Sequence, residues 1–131
     1  MTLTLTNTLS SSVDAYNRYV NATGAVYDEQ TGFPRITPAQ YETLQSLFFN
    51  IGGQTYELNA NAQIWPRALY SLIGGDNNFI YLLVVNIDSI LSINLGFIAG
   101  MPFLERHYSV FDTENRRIGF ATTPFTYAEI N

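Results

Sequence analysis

The chain has 131 residues, a formal net charge of -5, and neither cysteine nor lysine. Its length suits one domain, which we place over residues 1–131. The 6 basic residues form no long run, which excludes the basic patch of a protein that binds nucleic acid or anionic membranes. The lack of cysteine excludes disulfides, thiolate metal sites and cysteine nucleophiles. The 9 tyrosines, 9 phenylalanines and many β-branched residues favour strands.

The chain opens with a predicted strand and a predicted helix. Leu3 and Leu5 alternate with threonines, which is the period of a strand with one apolar face. Residues 13–20 then carry apolar side chains at helical spacing. This pattern predicts a helix of about three turns that ends near residues 23–24.

Two hairpins and a second helix follow. The hairpins comprise residues 25–27 with 33–36, and residues 47–51 with 54–58. Glycine occurs in both connections, as tight turns require. Between them, Thr37 precedes Pro38 and Gln40 in the order of a capping box with proline at the first helical position. This order predicts a short helix over residues 38–44.

The second half of the chain is predicted to contain short strands, one loop and one helical turn. In chain order we predict a strand at 64–65, a buried strand at 79–85, an irregular loop at 86–96, a strand at 97–100, a helical turn at 101–106, and strands at 108–111 and 117–121. We expect Glu105 and Arg106 to form a solvated face of the helical turn. His107 is interpreted as structural, because too few partners accompany it for a catalytic triad or a metal site. No cofactor is therefore expected.

Residues 97–112 and 115–121 carry a specific pattern: two hydrophobic residues and glycine, a turn with phenylalanine, an aromatic strand ending in Val-Phe-Asp, and Ile-Gly-Phe-Ala. This pattern resembles the C-terminal end of pepsin-like aspartic proteases. Residues 49–58 are similar to the hairpin that precedes the family's binding cleft. Asp112 matches a family aspartate that ends a strand and accepts turn hydrogen bonds, so the resemblance implies a structural role for it. The segment from 22–26 through 65–67 is most similar to the basidiomycete, polyporopepsin-type branch.

This resemblance implies a mainly β fold: a single pepsin-like lobe of curved antiparallel sheets with short helices. It also implies a chemistry in which each of two lobes supplies one aspartate from an Asp-Thr-Gly loop, and the pair shares a proton. The motif is expected just before the first helix, within residues 3–7, where the chain reads Leu-Thr-Leu-Thr-Asn. Asp14 lies inside the predicted helix and is followed by Ala15 and Tyr16. We therefore expect this chain to be noncatalytic by itself.

Several residues are candidates for binding or modification. An apolar set in the loop aligns loosely with the family's segment that lines prime-side substrate pockets, and it forms either a peptide-binding surface or a loop tucked against the core. Trp65 either anchors a ligand or packs inside the fold. Asn21-Ala22-Thr23 is an N-glycosylation sequon. The apolar loop set is Ile87, Ile90, Leu91, Ile93 and Leu95.

Two functions are consistent with the sequence. In the first, a noncatalytic stand-alone lobe binds a peptide, protein or glycan, in a fungal defence or regulatory role. In the second, the chain is the C-terminal half of an acid aspartic endopeptidase and needs an N-terminal lobe. Without that lobe a large apolar face is expected to be bare, so the face is either repolarised or buried in a homodimer. The location is extracellular if a leader was removed, and cytoplasmic if Met1 is the native start.

Overall fold

The structure is a computed structural model and describes residues 2–3, 12–86 and 100–131. Its strands are β1 (Thr2–Leu3), β2 (Val26–Asp28), β3 (Phe33–Ile36), β4 (Leu47–Ile51), β5 (Gln54–Leu58), β6 (Ile80–Tyr81), β7 (His107–Asp112) and β8 (Arg117–Thr122). Its helices are α1 (Ser12–Thr23), α2 (Pro38–Tyr41), α3 (Tyr70–Ile73) and α4 (Met101–Leu104), with single 3₁₀ turns at Asn61–Gln63 and Arg67–Leu69. The predicted class of mainly antiparallel sheets with short helices is confirmed.

The described strands form three small sheets, in the orders β1-β4-β5, β2-β3-β6 and β7-β8. All pairings are antiparallel except the one between β1 and β4, in which Thr2 lies opposite Phe48. The opening strand is therefore confirmed for Thr2–Leu3, and it forms an edge of its sheet. Leu5 lies outside the described residues.

The β4–β5 hairpin follows its sequence pattern closely. Gly52 and Gly53 connect the strands with φ of 58° and 79°, the left-handed conformations that a two-residue hairpin turn requires. The register places Leu47 opposite Leu58, and both side chains are buried. Turn chemistry and alternation point to the same register, so this prediction is confirmed.

The predicted strand at 79–85 is shorter in the structure. Only Ile80–Tyr81 pairs with β3, and Leu82 forms an isolated bridge with Ile64. Of the strand predicted at 64–65, only this bridge at Ile64 forms. The reason is that this segment divides its hydrogen bonds between two neighbours: the Leu82 N–H donates to Pro34, whereas the Leu83 N–H donates to Gln63.

The helices largely match their predicted positions. Helix α1 ends at Thr23, and Gly24 follows it with φ of 66°. The capping box of α2 is present, because the Thr37 hydroxyl accepts from the Gln40 N–H while the Gln40 side chain accepts from the Thr37 N–H. Helix α2 stops at Tyr41 rather than at residue 44 and continues only as tighter turns. Helix α3 and the turn before it were not predicted.

The core lies between α1, the β4–β5 hairpin and α4. Phe103 of α4 is 3 % exposed and meets the rings of Phe49 and Tyr56 edge-on, with centroids 6.0 Å and 6.1 Å away. The ring centroid of Phe120 in β8 lies 5.2 Å from that of Phe103. These contacts attach the C-terminal hairpin to the rest of the described chain. The buried residues of this core cluster are Tyr19, Ala25, Ile36, Leu47, Phe49, Leu58, Ala62, Ile64, Ile80, Leu82 and Phe103.

The prediction that Arg106 is solvated is wrong. Its side chain is among the largest fully buried ones, at 1 % exposure, whereas Glu105 is exposed. The sequence pattern of a single helical turn does not show which of Glu105 and Arg106 is buried. The structure does, because the residues after β8 fold back over Arg106 and accept hydrogen bonds from it.

Candidate functional site

The aspartates of the described residues have local partners. Asp14 forms an ion pair with Arg18 one turn later in α1, at 2.8 Å. Asp28 accepts from the Gln30 N–H at 2.9 Å and from the Arg35 guanidinium of the adjacent strand at 2.9 Å. These contacts give both carboxylates a role in local structure: Asp14 within α1 and Asp28 in the β2–β3 hairpin.

Asp76 and Asp112 organise turns. Asp76 accepts from the N–H of Asn78 at 2.9 Å. Asp112 ends β7 and accepts from the Asn115 side chain at 2.9 Å and from Arg117 Nε at 2.7 Å. The Asn115 side chain, and then Arg117, lower the pKa of Asp112. This geometry agrees with the structural interpretation of Asp112.

The predicted catalytic slot at 3–7 is described only at Leu3, which lies in β1 opposite Phe49. Residues 4–7 lie outside the described residues, so their assignment as the slot stays a prediction. The apolar loop set of five residues between 87 and 95 lies outside them as well, and its role in binding peptide also stays a prediction.

Trp65 contacts neighbouring residues through its ring and donates hydrogen bonds from both of its N–H groups. The backbone N–H donates to Tyr81 at 2.8 Å, and the indole N–H donates to the Leu69 carbonyl at 3.3 Å. The ring contacts Phe33, with centroids 5.2 Å apart. Since the indole donor is already used, the geometry favours packing. The alternative role of Trp65 as a ligand anchor stays a prediction.

His107 has the contacts of a structural histidine. It is 5 % exposed, its Nδ1 lies 3.0 Å from the Phe103 carbonyl, and its ring stacks on Phe103 at 4.4 Å. Tyr56 meets the ring edge-on at 5.8 Å. Among the described residues, no three His, Asp or Glu side chains are grouped to hold a metal ion.

Arg106 connects α4, the 3₁₀ turn at Asn61–Gln63 and the chain after β8. One terminal nitrogen donates to the carbonyls of Phe125, at 3.1 Å, and Ala128; the other donates to Asn61 Oδ1 at 3.1 Å. The Arg106 carbonyl accepts from the Thr126 hydroxyl at 2.5 Å. Within the described residues its Nε has no hydrogen-bond partner, and burial lowers the pKa of this guanidinium. Composition gave no sign of this cluster.

A surface cleft of about 210 Å³ lies between α1 and α2. Its polar groups are largely engaged: the Tyr19 hydroxyl donates to Gln63 at 3.0 Å, and the Gln40 amide donates to the Gly24 carbonyl at 3.0 Å. The volume is below the range of typical small-molecule sites. The cleft is lined by Tyr19, Ala22, Thr23, Gln40, Thr43, Leu44, Gln45 and Leu47.

The β7–β8 hairpin exposes apolar side chains on both faces. Tyr108 is 65 % exposed and Phe111 is 71 % exposed, while Val110 and Ile118 are each about half exposed. Phe111 and Ile118 lie directly opposite one another, near the tip. We call these four residues the hairpin surface. The described sheet contains only these two strands, and its exposed apolar side chains depart from an ordinary polar exterior.

Comparison with known proteins identifies the family. The sequence model described as "Eukaryotic aspartyl protease" matches residues 4–123. The chain belongs to this family. It is 58% identical to polyporopepsin of Irpex lacteus over 118 residues, which are 90% of this chain and 35% of that protein. It is 33% identical to gastricsin of Callithrix jacchus over 104 residues, or 79% of this chain and 24% of gastricsin.

The fold agrees with this membership. The crystal structure of the aspartic proteinase from Irpex lacteus superposes with a TM-score of 0.85 at 56% identity, covering 92% of this chain and 36% of that one. The chain thus spans about a third of the length of these fungal relatives. It is an aspartic-protease-like domain, as the resemblance implied, and it corresponds to part of a lobe. No helix in the described ranges is long and apolar enough to cross a membrane.

Proposed function

We propose that this aspartic-protease-like chain is noncatalytic by itself and acts as a binding protein. The observation that supports this proposal is the placement of the described aspartates. Asp14, Asp28, Asp76 and Asp112 each serve a helix, a hairpin or a turn. These structural roles differ from that of a catalytic aspartate, which shares a proton with a second carboxylate. The ligand class is a peptide, a protein or a glycan, and the role is defence or regulation in a fungus.

The hairpin surface is the proposed site of protein binding. Each face of the hairpin carries one aromatic and one aliphatic side chain of this surface, and each pair removes apolar area from water when a partner covers it. Its tip is electrically balanced, because Asp112 and Glu114 accompany Arg116 and Arg117. A second copy of the chain would therefore meet little repulsion there, despite the overall charge of -5. We propose a homodimer as the assembled form.

The second candidate is the C-terminal half of an acid aspartic endopeptidase. Two observations favour it: the chain belongs to the eukaryotic aspartyl protease family, and it spans 35% of polyporopepsin. In this case the partner is an N-terminal lobe, and the hairpin surface is covered by the remainder of the enzyme. The catalytic aspartates are then supplied from outside the part of the chain that the structure describes.

Proteolysis separates the two candidates. The purified chain is incubated with denatured haemoglobin between pH 3 and pH 5, with and without pepstatin, alone and with a separately produced N-terminal lobe of an aspartic protease. A noncatalytic binding protein gives no pepstatin-sensitive cleavage, either alone or together with the N-terminal lobe. Pepstatin-sensitive cleavage by the chain alone would refute the first proposal, and cleavage only in the mixture would support the second.

The homodimer is tested by the mass of the chain in solution. Light scattering after size exclusion is expected to give twice the monomer mass of 14.7 kDa. The variant Phe111→Arg places a charge on the hairpin surface and is expected to give a monomer. Leu72→Arg is the matched control, because Leu72 is 74 % exposed and lies on α3, so this variant remains dimeric. A monomeric parent chain, or equal dissociation of the two variants, would refute this interface.

A further inference from the structure

The last turn of α1 carries a sequence feature that the proposed function does not use. Asn21 is the only asparagine in the sequence that is followed, two positions later, by serine or threonine. The intervening residue is Ala22 rather than proline. This is the complete acceptor sequence for N-linked glycans.

The structure places Asn21 on the solvent side of α1. Asn17 and Arg18 precede it by four and three residues, and all three are exposed. Residues at these spacings share one face of a helix. Tyr19, which is 1 % exposed, points from the opposite side into the core. A glycan on Asn21 would therefore extend into solvent without displacing a core contact.

The position of the sequon at the end of α1 favours access before folding. Helix α1 has 12 residues, a length at which an isolated helix is marginal in water. It ends at Thr23, and Gly24 turns the chain away with φ of 66°. In the folded chain the Thr23 hydroxyl donates to the Tyr19 carbonyl at 2.9 Å. Before α1 forms, that hydroxyl is free to take part in recognition of the sequon.

We propose that Asn21 is an N-glycosylation site. The donor is an oligosaccharide linked to a lipid pyrophosphate. The side-chain amide nitrogen of Asn21 forms a bond to the anomeric carbon of the first sugar and loses one proton to a base of the transferase. The bond between that carbon and the pyrophosphate oxygen breaks, and the lipid pyrophosphate leaves with the electron pair. No residue is oxidised or reduced.

The test is translation of the full chain, fused to a cleavable leader, in the presence of endoplasmic-reticulum microsomes. Only chain protected from added protease is scored, so the result does not depend on whether a variant folds. The parent chain is expected to migrate as a larger species that peptide N-glycosidase converts to the unmodified size. Asn21→Gln and Thr23→Ala abolish the larger species.

Two matched variants complete the test. Thr23→Ser retains a hydroxyl at the required position and keeps the shift, and Asn17→Gln changes a neighbouring exposed amide and also keeps it. Protected parent chain of unmodified size would overturn the proposal. So would a glycosidase-sensitive shift that persists in Asn21→Gln.

Discussion

Replacing Arg106 by methionine tests whether the buried guanidinium holds the C-terminal segment in place. Methionine keeps most of the apolar stem but removes the donors to Phe125, Ala128 and Asn61. We expect the variant Arg106→Met to be less stable than the parent chain. We also expect residues 123–131 to become more sensitive to proteases, because Arg106 and Asn61 bind much of that segment.

The magnitude follows from what each acceptor retains. Asn61 Oδ1 keeps the N–H groups of Ile130 and Asn131, at 3.0 Å and 3.2 Å. Phe125 and Ala128 are not buried, so water replaces part of what their carbonyls lose. Each lost bond then costs about 1 kcal/mol, the value for an ordinary hydrogen bond and below the range for a charged donor. Removing the buried charge and its unpaired Nε offsets part of the cost of the three lost hydrogen bonds. The expected loss is about 2–3 kcal/mol.

Urea unfolding followed by the fluorescence of Trp65, the only tryptophan, measures this loss. The midpoint temperature of thermal unfolding should decrease by roughly 6–15 °C for a chain of this size. Arg106→Lys keeps the charge without the planar fork of donors and should fall between the parent and Arg106→Met. If Arg106→Met is as stable as the parent, desolvation of the guanidinium cancels its hydrogen bonds and the reasoning is refuted.

Three further substitutions are expected to have defined effects. Gly24→Ala destabilises the chain by about 1–2 kcal/mol, because Gly24 has φ of +66° and a Cβ there would lie 2.6 Å from a side-chain amide of α2; thermal unfolding measures it. Tyr19→Phe leaves the buried Gln63 Oε1 without its 3.0 Å donor and costs about 1–3 kcal/mol, measured in urea. Asp112→Asn removes a carboxylate whose pKa is lowered in the folded state. The variant should be less stable than the parent chain above pH of about 4, and this difference should vanish as the pH falls through the folded pKa of Asp112.

Each of these predictions has a control or a contrary result. Gly119→Ala is the control for Gly24, since Gly119 has no atom within 4 Å of an added Cβ and no positive φ; equal losses would contradict the backbone argument. Tyr27→Phe is the control for Tyr19, because Tyr27 is 59 % exposed. For Asp112→Asn, a deficit that grows as the solution is acidified would have the wrong sign for a lowered pKa.

Local chemistry explains why much of the fold could be predicted. The Gly52-Gly53 turn, the Thr37 capping box and the alternation in β5 act over a few residues, so the sequence alone predicts their structure. The family could also be predicted, from the pattern at 97–112 and 115–121. These features are short-range or are shared with known relatives, and neither kind requires knowledge of long-range contacts.

The tertiary structure alone determined the position of Arg106, the true length of the strand at 80–81 and the exposure of the β7–β8 hairpin. Each depends on residues far away in the chain. Arg106 is buried by the returning segment at 125–128, Leu82 bridges to Ile64, and Phe111 is exposed in a sheet whose described strands are β7 and β8 alone. A periodic pattern specifies which side chains share a face, but it does not specify what packs against that face. The sequence by itself thus determined the family and the local elements, whereas burial and binding surface were decided by contacts between residues far apart in the chain.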